Sequence, residues 1–172
     1  MKLPVLIIAT LAPLLVSLNS LAQSCINTIT PTTPTTHFQI ITEGTVLDTK
    51  TGLMWMRCAI GQQWHNDQCH GELSILSWQE ALVVAATIRF AKFDDWRLPN
   101  LHELSSITEL KCQSPAANLQ MFPNTAPQNY WTSTTFVNSN DNAWLVHFDV
   151  GENHTANKNR RAHARLVRRL KP

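Results

Sequence analysis

The chain has 172 residues, 44% of them hydrophobic and only 15% charged. That balance excludes a disordered charged tail and a heptad coiled coil. The net charge of +2 argues against a dedicated nucleic-acid binder on bulk electrostatics. The charge is unevenly spread, however: seven of the fourteen Lys and Arg residues follow Asn157, and no acid follows Glu152.

In chain order, residues 1–22 read as a secretory signal. Lys2 supplies the positive start, Leu3 to Leu18 the apolar run, and Ser20-Leu21-Ala22 the small side chains at a cleavage site. Pro13 and the shortness of the run disfavour a retained anchor, and no later stretch is long or apolar enough to span a bilayer. The expectation is an exported protein: periplasmic, cell-surface or extracellular. Cleavage leaves 150 of the 172 residues, enough for one core and too few for two.

Residues 23–37 form a Thr/Pro-rich segment that reads as an extended linker, with nine residues from Thr28 to Thr36 nearly all Thr and Pro. A single domain is expected over 38–172. The four cysteines, Cys25, Cys58, Cys69 and Cys112, read as two disulfides in an oxidising compartment, with three possible connectivities. Cys58 and Cys69 flank a polar loop, which favours a local staple and leaves Cys25 for Cys112. Zinc is the rival use of Cys58, Cys69 and His70, but no C-x-x-C occurs and exported thiols usually oxidise.

Within the domain, Val46-Leu47-Asp48 and Leu53-Met54-Trp55-Met56 predict a hairpin turned at Gly52. Ser77-Trp78-Gln79-Glu80 is a capping box, followed at helical spacing by Ala81, Leu82, Ala85 and Ile88. Asn100 and Glu103 start a second helix, with Leu101, Leu104, Ile107 and Leu110 as its apolar stripe. A long irregular segment runs from Gln113 to Gln128. Strands are expected at Tyr130 to Phe136 and Ala143 to Phe148, with Val137 to Asn142 as the turn. In a last strand, His163 to Leu170, alternation would turn Ala164, Leu166 and Leu170 to the core and Arg161, His163, Arg165, Arg169 and Lys171 to solvent. The expected fold class is α+β: two helices packed on a small antiparallel sheet, with a long irregular loop region.

Several stretches, taken in order, resemble one family. They are Gly44-Thr45-Val46-x-Asp48-x-x-Thr51-Gly52-Leu53-x-Trp55, Trp78-x-x-Ala81-Leu82, Asp95-Trp96-Arg97-Leu98-Pro99-Asn100-x-x-Glu103-Leu104, Phe122-Pro123-Asn124-Thr125, Tyr130-Trp131-x-Ser133-Thr134, Ala143-Trp144-x-Val146-x-Phe148 and Arg165-Leu166-Val167-Arg168. The chain is similar from about Phe38 to Leu170 to the C-terminal domain of the Legionella collagen-like adhesin. The resemblance implies a C-type-lectin-like fold and the binding of sulfated glycans, as in the family's best-known member. A disulfide around Arg57-Cys58 and Cys69-His70-Gly71 also resembles family members. The collagen-like repeats of that adhesin have no counterpart in this sequence.

The candidate ligand-binding residues are therefore Lys158, Arg160, Arg161, Arg165, Arg169 and Lys171. Arginine forks match sulfate and carboxylate geometry, and a strand would present alternate residues as a row. The bland alternative is an edge strand kept soluble by charge. His147, Asp149, Glu152 and His154 form the best metal-like cluster, read as decoration of a strand end rather than a site, and no metal or cofactor is expected. Five of the six Trp lie in apolar patterns and read as core; Trp64 sits in a polar loop. Asp94 and Asp95 are too close to straddle a glycosidic bond, so they read as turn groups. The hydroxyls of Ser133 and Thr134 have no evident paired base. The leading expectation is an exported, non-catalytic binding module for anionic polysaccharide, acting at the cell surface or in adhesion. The alternative is a structural or accessory subunit that binds another surface protein of an envelope assembly.

Overall fold

The computed structural model describes residues 22–170; the expected signal up to Leu21, and Lys171, lie outside the described residues. Thr45–Asp48 (β3) and Leu53–Met56 (β4) form the expected hairpin, with Val46 opposite Trp55. Gly52 takes the left-handed conformation (φ +69°) that closes the turn. The Asp48 carboxylate fixes it by accepting from the Lys50 N–H at 2.9 Å and the Thr51 hydroxyl at 2.7 Å. Phe38–Ile40 (β2) pairs with β3, and Val167–Arg169 (β11) with β4, giving an antiparallel sheet in the order β11-β4-β3-β2. A second sheet runs Glu152–Asn157 (β10), Ser139–His147 (β9), Asn129–Phe136 (β8). Two small pairs complete the set: Ser24–Cys25 (β1) with Cys112–Gln113 (β7), and Gln63–His65 (β5) with Gln68–His70 (β6).

The expected α+β arrangement of two helices on one small sheet is thereby corrected. Among the described residues, eleven strands form four small sheets, while the α-helices are Trp78–Thr87 (α1) and the five-residue Leu101–Ser105 (α2), with one 3-10 turn at Thr35–His37. Both predicted capping boxes are present, Ser77 with Glu80 and Asn100 with Glu103. The apolar stripe after Asn100 nevertheless overstates its helix. The Ser106 hydroxyl donates to Glu103 O and the Thr108 hydroxyl to Ser105 O, so side chains compete for the carbonyls that a longer helix would use. Ile107 still reaches the core, but Leu110 is exposed.

The core falls into two clusters. One gathers Met54, Trp131, Leu145 and Leu166 with Ala81 and Ala85 of α1. The other holds Trp55, Leu104, Phe122, Tyr130, Val146 and Val167. Adjacent residues of β4, β8 and β9 thus point into different clusters, and each fully buried large side chain contributes roughly 1.5–3 kcal/mol. The indole N–H groups of Trp78, Trp96 and Trp131 donate to Thr132 O, Phe90 O and Leu76 O at 2.8–3.1 Å. Trp64 packs inward as well: the Arg57 guanidinium lies 4.1 Å from its ring, and a side chain at Gly44 would collide with it.

Both expected disulfides form, Cys58–Cys69 and Cys25–Cys112. The second draws the Thr/Pro segment back onto the domain, where it is held by a buried carboxylate. Glu109 accepts from the Thr32 N–H (3.0 Å), the Thr33 N–H (2.9 Å), the Thr33 hydroxyl (3.0 Å) and the Lys111 N–H (3.2 Å). Asn118 returns a hydrogen bond to Thr33 O at 2.8 Å. Burial opposes the charge on Glu109, but these donors outweigh it and hold its pKa below the ordinary glutamate value. Glu103 is lowered chiefly by the Arg97 fork at 2.7 and 2.8 Å, against burial.

Carboxyls depressed on folding stabilise the native state above their unfolded pKa, and that contribution disappears as pH falls through the lower folded values. In thermal melts the carboxyl contribution should therefore be level from neutrality to about pH 5 and fall below about pH 4. It lies beneath a smaller decline that His154, whose pKa burial lowers, adds below about pH 6.5. Glu109→Gln should start from a lower plateau and show a smaller acid step. An equal step in the variant would remove Glu109 from this role.

Candidate functional site

The basic C-terminal residues do not form one row. From Ala162 to Arg168 every residue is buried, because the segment passes between the two core clusters. Met56 N–H donates to Leu166 O and Ile60 N–H to Ala164 O, while Ala162 bridges to Leu76 and His163 to Tyr130. Ala164 and Leu166 face the core as expected, whereas Leu170 does not.

Arg165 is the clearest correction. Expected at the surface, it is fully buried, with its guanidinium donating to Met56 O, Arg57 O and the Thr125 hydroxyl, and lying 5.0 Å from the Phe122 ring. Burial lowers its pKa to about 10, so it remains a cation at neutral pH. The same burial raises the Tyr130 phenol, although the Arg165 charge opposes that rise. His163, also expected outside, is buried between Ser74 O (2.9 Å) and Gln128 Oε1 (2.5 Å) at its two ring nitrogens. Arg168 forks onto Asp95 at 2.6 and 3.2 Å and stacks 3.9 Å from the Phe93 ring. Asp95 therefore serves packing, and Asp94 pairs with Arg89 at 2.5 Å.

The remaining basic residues divide between two places. Arg169 is exposed at the end of β11, in a cavity of about 230 Å³ shared with His102 and Glu103. Lys158, Arg160 and Arg161 instead share the turn between β10 and the buried segment. The turn is shaped by Asn157, whose side chain accepts from the Asn159 N–H at 3.0 Å and whose carbonyl accepts from the Arg160 N–H at 2.8 Å.

On one side of this turn lies a polar cavity of about 170 Å³, walled by Gln128, Asn129, His147, Arg160, Arg161 and His163 over Ile75 and Ala162. Arg161 is fixed at its rim, donating to Glu80 Oε2 at 3.1 Å and to Ile75 O. Arg160 is exposed, and no hydrogen bond to its guanidinium forms among the described residues. Asn129 Oδ1 is buried with no partner there. Because the two ends of a carboxamide are assigned from surrounding groups, a ligand could meet either one.

His147 adds an imidazole to the cavity wall, and its ring lies 6.1 Å from that of His154 on β10. Burial, then His147 and Arg160, lower the His154 pKa. Asp149 points away and accepts from the Ser114 hydroxyl at 2.7 Å. Among the described residues, no group of three or more His, Cys, Asp or Glu is placed to hold a metal ion. The sequence pattern singles out Arg160 and Arg161, but nothing local in it places Gln128 and Asn129 in their cavity. They meet across the β8–β9 pairing that puts Asn129 opposite His147.

With this geometry in view, comparison with known proteins adds one match. The family described as the Lcl C-terminal domain matches residues 44–168, which include the turn, the cavity walls and the buried arginines but leave out the Thr/Pro arm. No curated protein matches the chain.

Proposed function

Because the chain belongs to the Lcl C-terminal domain family, we propose that it is an exported, non-catalytic binding module that engages anionic polysaccharide through the Lys158–Arg161 turn. Family membership and the two disulfides support an adhesin-related module in an oxidising compartment. No helix among the described residues is long and apolar enough to cross a membrane. The observation that carries the ligand reading is the placement of Arg160 and Arg161 on one polar cavity with His147 and the Asn129 side chain. A guanidinium that is held by Glu80 and still lines an open cavity offers a fixed donor to a sulfate or carboxylate. Arg165 and Arg168 take no part, since their forks are already used inside the protein.

The test is retention of the mature, oxidised protein on immobilised heparin across a salt gradient. Retention should weaken with salt, as screening over a Debye length of about 8–10 Å requires. Arg160→Gln with Arg161→Gln should weaken it about tenfold or more, a loss of about 1.4 kcal/mol. Stability should change little, because both side chains are exposed. No retention by the unaltered protein at low salt, or equal retention by the double variant, would overturn the assignment.

A further inference from the structure

We infer that the other side of the same turn is a second binding site, one for a neutral hexopyranose. A separate cavity of about 330 Å³ opens there between the start of α1 and the β9–β10 ends. Its walls include Trp78, Gln79, Asp141, Lys158 and Asn159. Backbone hydrogen bonds hold its walls together: Trp78 N–H donates to Lys158 O at 3.0 Å, and Lys158 N–H to Asp141 O at 2.8 Å. The side chains are not. Among the described residues, no hydrogen bond uses the Gln79 carboxamide, the Asp141 carboxylate or the Asn159 carboxamide. Two carboxamides that both donate and accept, and one carboxylate that accepts, therefore face one concavity with their capacity unspent.

The chemistry of the walls selects the ligand class. One carboxylate and one ammonium balance, so the cavity has no net charge to attract an ion, in contrast to the cationic cavity across the turn. Lys158 is held in place, with its Nζ 4.5 Å from the Trp78 ring centre and donating to Asn140 O at 2.5 Å. An ammonium has three N–H groups, so donors remain for a ligand oxygen. A carboxylate, carboxamides and a positioned ammonium match the paired hydroxyls of a sugar, each of which both donates and accepts. Trp78 is half-buried, packed on the core and with the Lys158 ammonium over its ring. Only its remaining exposed carbon surface is left as an apolar contact for the C–H groups of a pyranose, and its N–H is already committed to Thr132 O. A sulfate or a free cation would leave half of these groups unused. The inference does not depend on the polyanion reading.

The test is a two-dimensional NMR titration of the mature, oxidised protein with methyl mannopyranoside, methyl galactopyranoside and N-acetylglucosamine, using sorbitol as the acyclic control. At least one pyranoside should shift the Trp78 indole and the Asn159 carboxamide signals saturably, with a Kd of about a few millimolar for so small a ligand. Asp141→Ala should weaken that binding about tenfold, and Asn159→Ala should weaken it measurably. Arg160→Gln with Arg161→Gln should leave it unchanged. The site is overturned if no pyranoside shifts these signals, if sorbitol shifts them equally, or if both single variants bind like the unaltered protein. Heparin retention without pyranoside binding defeats this site alone; pyranoside binding without heparin retention defeats the polyanion reading alone.

Discussion

Arg165→Ala should destabilise the protein by about 3–5 kcal/mol, since it both empties a core volume and strips three buried acceptors of their donor. Met56 O, Arg57 O and the Thr125 hydroxyl would face a cavity that their own elements cannot close. For a domain of this size the melting temperature should fall by about 10 °C. Arg165→Met should cost less, because it refills much of the volume and removes the burden of a buried charge, though not the unpaired acceptors. Arg165→Lys cannot reproduce a fork that serves several acceptors at once. Thermal and denaturant unfolding would check the order Ala below Met. A change within about 0.5 kcal/mol for Ala would mean that the guanidinium is in truth solvent-facing. Set against the exposed Arg160 and Arg161 pair, the result separates arginines that build the domain from those available to a ligand.

Removing the Cys25–Cys112 bridge with serines should cost about 4–5 kcal/mol on the chain-entropy account, against about 3 for Cys58–Cys69. The difference follows from loop size, since the sequence separations are 87 and 11. The first bridge also secures the arm, whose other anchor is the Glu109 carboxylate. Without the bridge, the arm should become the earliest site of limited proteolysis, while the domain from Phe38 onward resists. Guanidinium unfolding of the two serine pairs would measure the order. A larger loss from Cys58 and Cys69 would show that the β5–β6 hairpin, rather than the arm, is the critical attachment.

The parts of this protein legible in its sequence are those determined by a few neighbouring residues. The hairpin at Gly52 needs only a left-handed turn residue between two apolar runs. The capping boxes at Ser77 and Asn100 close on their own third residues, and each is present in the structure. The disulfides were accessible through cysteine parity and one short loop. The Asn66-Asp67 pair, with φ of 48° and 58°, carried a hairpin signal for β5 and β6 that the polarity of the loop obscured. Strand β10, Glu-Asn-His-Thr-Ala-Asn, has little apolar pattern to detect; it forms because β9 offers an edge, and only Ala156 goes to the core.

The sequence by itself determined the local turns, the helix starts, the cysteine pairs and the presence of a basic C-terminal run. Only the tertiary structure decided which of those basic side chains meet solvent. Period-two alternation sorts residues into core and surface when one face of a strand is wet. Between Ala162 and Arg168 both faces are covered, one by the cluster around Leu166 and the other by the cluster around Val167. Alternation there separates one interior from another, so Arg165 is buried despite its charge, with backbone carbonyls and a hydroxyl supplied by residues 40 to 109 positions away. Those acceptors have no trace in the local pattern. They exist only once β4 and the Phe122-to-Thr125 loop have been packed against the segment.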